Sequence, residues 1–114
     1  MAGGGYTGVW AARAIARAVR AGTLEGVRVR LVSATPEHSF HGWTAEVITG
    51  HVRPERARVP LARLLPGVEI IAGTVDAVAV DERLVHVTTA EGPRTLPYHE
   101  LVVGIGSRDA TAPV

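Results

Sequence analysis

Val9, Ala12, Ile15, Ala16 and Val19 recur at steps of three and four residues, whereas Arg13, Arg17 and Arg20 share the opposite face. That spacing predicts an amphipathic helix with its apolar stripe turned inward. Arginines toward its carboxyl end suit the helix dipole, and Gly22 can supply a left-handed stop. The alanines on the apolar face are small enough to let the helix sit close against a sheet. The next run, Val27-Arg28-Val29-Arg30-Leu31-Val32, is β-branched and mostly alternating, which predicts a strand. Residues 33–58 hold Pro36, Gly42, Gly50 and Pro54 and show little regularity beyond a short helix over Thr44–Thr49. Pro60 then opens a helix at its first position, with Leu61, Leu64 and Leu65 facing inward and Pro66-Gly67 ending it.

From Val68 onward the pattern is all-β. Strands are predicted at Val68–Ala72, Thr74–Val80, Leu84–Thr89, Arg94–Leu96 and Leu101–Ile105, with turns at Asp81-Glu82-Arg83 and Glu91-Gly92-Pro93. Short meander strands inside a chain that otherwise alternates helix and strand predict an α/β fold with an antiparallel crossover attached to a parallel sheet.

Composition narrows the chemistry. At 114 residues the chain makes one domain, and 46% hydrophobic with 20% charged residues is a globular profile. A formal net charge of +1 gives no field for steering toward DNA or anionic lipid. All 12 basic residues are arginine, which excludes Schiff-base chemistry and a phosphate-loop lysine. With no cysteine, a disulfide framework, a thiolate nucleophile and an iron–sulfur cluster are excluded as well. No stretch approaches the ~20 apolar residues needed to span a bilayer, and Met1-Ala2-Gly3 has no signal-peptide pattern. The expectation is a cytoplasmic protein.

His38, His41 and His51 with Glu46 lack the four-residue helical step of zinc peptidases, so no metal site is expected. Arg53, Arg56 and Arg58 are interrupted by Glu55, and aromatics make up only 4% of the chain, so no nucleic-acid groove is expected either. Trp10 and Trp43 read first as packing residues, with Trp43 also a candidate for lining a cofactor pocket.

The feature that carries chemistry is Gly3-x-Gly5-x-x-Gly8, followed directly by the amphipathic helix. In this arrangement the first glycine permits a tight turn and the second lets a pyrophosphate approach the backbone. The third brings helix and strand together, and the helix N-terminus faces the negative charge. Ser33 then lies where a ribose-binding carboxylate normally sits.

Gly3-Gly4-Gly5-Tyr6-Thr7-Gly8, Val29–Ser33, His38-Ser39-Phe40-His41 and Val47-Ile48-Thr49-Gly50 resemble, in order, segments of type II NADH dehydrogenases. Those enzymes belong to the pyridine nucleotide–disulfide oxidoreductase superfamily. Val59–Leu65 is similar to the helix before that family's third strand, and Gly73-Thr74-Val75 to its adenine-side strand. Leu96–Arg108 resembles its second flavin-contacting segment. The resemblance implies a Rossmann-like, glutathione-reductase-type FAD-binding domain with a β-meander. Its activity would be hydride transfer from NAD(P)H to FAD and onward electron transfer to a quinone-like acceptor. It places Gly3, Gly5, Tyr6, Thr7 and Gly8 around the FAD pyrophosphate and brings Val75 to the adenine through its backbone. Gly106, Ser107 and Arg108 would close over the flavin, with Phe40–Thr44 near the isoalloxazine.

The chain departs from the family in four ways. Ser33 replaces the ribose carboxylate, and Glu37 could stand in only if its loop curls back. No cysteine pair exists to accept electrons from flavin, which excludes the disulfide-reducing branch. Only Met1-Ala2 precede Gly3, where the family has an apolar first strand, and no second glycine fingerprint follows before Ala112-Pro113-Val114. The expectation for residues 1–114 is therefore an incomplete domain, lacking its first strand and the second nucleotide domain and inactive alone. A non-catalytic remnant stays open, as does a small nucleotide-binding or interaction module completed by a partner chain. So do a homo-oligomer and peripheral membrane association of a complete enzyme.

Overall fold

The computed structural model describes residues 1–107. Helix α1 spans Tyr6–Arg20 and buries Gly8, Val9, Ala12 and Ala16, the face that the spacing predicted. Its end is a Schellman stop. Gly22 lies at φ +73°, its N–H donates to the Val19 carbonyl (3.1 Å), and the Thr23 N–H donates to the Ala18 carbonyl (2.9 Å).

The chain then forms β1 (Arg30–Ser33), β2 (Glu37–Ser39), a 3₁₀ turn (His41–Trp43) and α2 (Thr44–Ile48). A second 3₁₀ turn (Pro54–Ala57), β3 (Arg58–Pro60) and α3 (Leu61–Leu64) follow. Strands β4 (Glu69–Ala72), β5 (Thr74–Ala79), β6 (Leu84–Thr89) and β7 (Gly92–Pro97) complete the ladder-forming elements.

Strands β1 and β4 pair in parallel from Arg30↔Glu69 to Ser33↔Ala72. The predicted strand at 27–32 starts late because β4, its partner, begins only after the left-handed turn at Gly67 (φ +86°). Pro60 ends β3 and flanks α3 where the sequence placed it inside the helix, because its backbone continues the ladder opposite Glu37. The β2–β3 pair itself was not predicted. Each strand is three residues long and mostly exposed, so neither carries a readable alternation.

Alternation along β1 and β4 builds two cores. Leu31 and Ile70 face α1 and α3, joining Val9, Ala12, Leu61 and Leu65. Val32 and Ile71 face the other way and join Val85, Val87 and Leu96 of the meander. The parallel sheet is thus covered by helices on one face and by the antiparallel β5-β6-β7 sheet on the other. Between Val75 and Ala77 the β5–β6 register shifts. Pro93 and Pro97 fall in β7, an outer strand of the meander, where a missing N–H is tolerated.

The expected loss of the first strand has a different outcome. Met1–Gly3 lies between β1 and residues 102–104, and Ala2 bridges both Val32 and Val103 in parallel. On one side Val32 N–H donates to the Met1 carbonyl (2.9 Å) and Gly3 N–H to the Val32 carbonyl (2.8 Å). On the other, Ala2 N–H donates to the Val102 carbonyl (2.9 Å) and Gly104 N–H to the Ala2 carbonyl (2.8 Å). The Met1 amine donates to the Arg30 carbonyl at 2.6 Å, and burial pushes its pKa below the ordinary value. The predicted strand at Leu101–Ile105 reduces to this one bridge, because its partner offers only these few residues.

Three variants test this arrangement. Leu61→Ala, at a fully buried position, should lower unfolding free energy by about 2–5 kcal/mol. Leu24→Ala, at an exposed one, should stay within about 0.5 kcal/mol. Ala2→Pro removes the donor to Val102 and should cost about 1–3 kcal/mol in denaturant titration. An unchanged midpoint would show that the Met1–Gly3 ladder is not formed.

Candidate functional site

The carboxyl ends of the parallel elements meet at one edge of the sheet. Gly3 leaves the short central strand, Ser33 ends β1, Gly73 follows β4, and Gly104 ends the outer bridge. In open α/β sheets this edge is where ligands bind.

Three of the four glycines in the loop are required by the protein's own packing. Gly3 has φ +105°, and a β-carbon there would strike the Gly104 carbonyl. A β-carbon on Gly8 would strike the Gly3 carbonyl oxygen, so Gly8 is what lets α1 reach the end of the central strand. Gly4, outside the fingerprint spacing and missed by it, is held by Ser33, whose Cβ would lie 2.9 Å from the added carbon. Gly5 differs. A β-carbon there would meet only the Gly104 carbonyl oxygen, at 3.9 Å, which is ordinary contact. Nothing internal demands glycine at this position, and its bare backbone faces open space at the N-terminus of α1.

That N-terminus has no side-chain cap and no acidic residue in its first turn. The first-turn N–H groups, from Tyr6, Thr7 and Gly8, therefore carry the positive end of the helix dipole with no carboxylate of α1 opposing it. The outgoing segment presses against the same turn, with a β-carbon on Gly104 set to lie 3.0 Å from the Gly8 nitrogen and from Thr7 Cβ. Gly106 (φ +76°) and Ser107 follow two and three residues later, both exposed. Arg108 lies outside the described residues.

Ser33 is buried beneath Gly4, and its Oγ accepts a hydrogen bond from the Thr35 N–H (3.4 Å). The loop after it curls back through His38, whereas strand alternation in β2 turns the adjacent Glu37 to the other face. His38, the neighbour of Glu37 in β2, places Nδ1 3.1 Å from the Gly4 carbonyl oxygen. Tyr6 then ties the loop to this segment. Its ring stands edge-on to His38 at 4.9 Å and tilted to His41 at 5.9 Å, and its hydroxyl accepts from the His41 N–H (2.9 Å). Thirty-odd residues separate these partners, and no local pattern announces the contact. Phe40 and Trp43 pack edge to face at 5.4 Å beside it, at a shallow cavity of about 210 Å³ that Thr44, Val47, Pro54 and Arg58 also line. Val75 spends its side chain on the second core, which leaves its backbone on β5 for any ligand. Among the described residues no three His, Asp or Glu side chains converge as metal ligands, and no helix is long and apolar enough to cross a membrane.

No family model and no curated protein matches the chain. Among solved structures, the sulfide:quinone oxidoreductase of the hyperthermophilic bacterium Aquifex aeolicus matches over 94% of this chain at 27% identity, with a TM-score of 0.74. The NAD-dependent persulfide reductase of A. fulgidus matches over 99% at 18% identity, with a TM-score of 0.83. The chain covers 24% and 22% of those two proteins. The chain is thus similar in three dimensions to about a quarter of an FAD-dependent pyridine nucleotide oxidoreductase, the wider class that its motifs resemble.

Proposed function

We propose that residues 1–114 are the FAD-binding part, Rossmann-like and of the glutathione-reductase type, of a cytoplasmic flavoprotein oxidoreductase. That enzyme would pass electrons from NAD(P)H through FAD to a quinone-like acceptor. The observation that carries this reading is Gly5. It is the one fingerprint glycine that packing does not require, and it opens the uncapped N-terminus of α1 at the ligand edge of the sheet.

The residues fit the cofactor. The backbone N–H groups of Tyr6, Thr7 and Gly8 would hold the pyrophosphate, with Gly3 and Gly8 fixing the loop geometry. Ser33 and His38 shape the loop from beneath and beside it, and the Val75 backbone would meet the adenine. Gly106, Ser107 and Arg108 would border the flavin on the opposite side. The cofactor supplies the two-electron redox chemistry, while the chain binds, orients and shields it. Having no cysteine, this chain cannot itself take electrons from the flavin through a thiol pair. The acceptor rests on the quinone-reducing neighbour and on the motif order.

A second reading, a module whose sheet is completed by another chain, draws on Val103 and Ile105. They are 56% and 69% exposed along the outer bridge. A flavin-free oligomer in solution would favour it.

Gly5→Asp separates cofactor binding from folding. Gly5 has extended backbone geometry suited to an N-cap (φ −75°, ψ −171°), so aspartate should raise stability by roughly 0.5 kcal/mol. The same carboxylate should weaken FAD binding roughly tenfold or more, from on the order of 1–4 kcal/mol of repulsion with a phosphate. Gly8→Ala should instead unfold the loop and lose both properties. Flavin fluorescence titration beside thermal denaturation reads the two effects, and undiminished FAD affinity in Gly5→Asp would sink the assignment.

A further inference from the structure

A second concavity lies away from the glycine loop. Arg13, Arg17 and Arg20 of α1 and Arg63 of α3 surround a hollow of about 260 Å³, with Leu64 and Pro66 at its wall. No acidic residue lines it, and among the described residues the only ion pair joins Arg30 to Glu69, elsewhere on the sheet edge. Helix polarity accounts for Arg17 and Arg20, which sit in the last turn of α1. Arg13, in mid-helix, sets its guanidinium 5.6 Å from the Trp10 ring centroid, and Arg63 arrives from another element, for which helix polarity gives no reason. Arg13 and Arg17 stand four residues apart, where like charges repel and destabilise a helix. No carboxylate faces these four exposed guanidinium groups, and a bound anion would offset their mutual repulsion.

We propose that this hollow binds a small anion carrying clustered phosphate groups. Guanidinium forks match phosphate oxygens two at a time, and four around one space suit more than one phosphate. The volume falls below the usual 300–1,000 Å³ range of sites for drug-sized ligands, which favours a compact anion over a dinucleotide. The apolar wall at Leu64 and Pro66 can take a short non-polar portion. The hollow shares no lining residue with the glycine loop, and Arg13 and Arg17 lie about 7.5 and 14 Å along the helix axis from Gly8.

Inorganic pyrophosphate is the probe, titrated at low ionic strength into the isotope-labelled full chain. Arginine Nε–H resonances report the hollow, while the backbone amides of Gly5–Gly8 report the loop, so the two sites are read separately. Saturable shifts at Arg13, Arg17, Arg20 and Arg63 are expected. Arg17→Gln with Arg63→Gln should weaken that affinity on the order of 100-fold, about tenfold for each. Arg94→Gln, outside the hollow, should leave it unchanged. Absence of saturable arginine shifts, or equal affinity in the double variant, would overturn the proposal. So would binding to phosphatidylglycerol vesicles without any response to pyrophosphate, since that would make the arginines a membrane-facing surface.

Discussion

Four backbone hydrogen bonds from Met1–Gly3 hold the sheet edge together. They join β1 to the outgoing segment at 102–104, and everything at the ligand edge is positioned through that join. Because Met1–Gly3 is bonded on both sides, the chain must turn at Gly3 to escape the sheet. Because Gly3 turns there, its carbonyl sits where a Gly8 side chain would be. The glycine pattern is thus forced by the central strand before any ligand is considered. Only Gly5 escapes that logic, because no internal contact demands a bare α-carbon there.

The two cores depend on the same join. A strand that alternates Leu31 and Val32 can bury both only if each face is covered, by helices on one side and by the meander on the other. Burying Leu31, Leu61 and Leu65 contributes about 1.5–3 kcal/mol each. The exposed Arg30–Glu69 pair adds at most about 1 kcal/mol. Apolar layering, not charge, fixes the relation between α1 and the sheet.

Periodicity made much of this legible in advance. Helix α1, β4, the meander strands and the short α2 lie close to where the pattern placed them, because each is long enough or bounded clearly enough to show its repeat. Two residues cannot show one, so Met1-Ala2 looked like an absence when they form a short central strand. The β2–β3 pair escaped for the same reason, and with it the return of His38 to the Gly4 carbonyl. At the site, Gly3 and Gly8 were placed by their spacing. Gly4 was not, because its need for a bare α-carbon comes from Ser33, in an element remote in sequence. Ser33 ends β1, one residue beyond the predicted strand, and its hydroxyl is turned into a local bend beneath the loop.

The prolines of β7 have a consequence for self-association. In an antiparallel strand, alternate residues aim their N–H groups outward, and Pro93, Thr95 and Pro97 share one such set. A proline cannot donate into the ladder with β6, so this set is the outward one. Two of its three members have no N–H to offer. An approaching strand would find a single amide donor along that rim, too few to template sheet growth. Lateral stacking through the β7 rim of the meander is therefore opposed by the backbone itself.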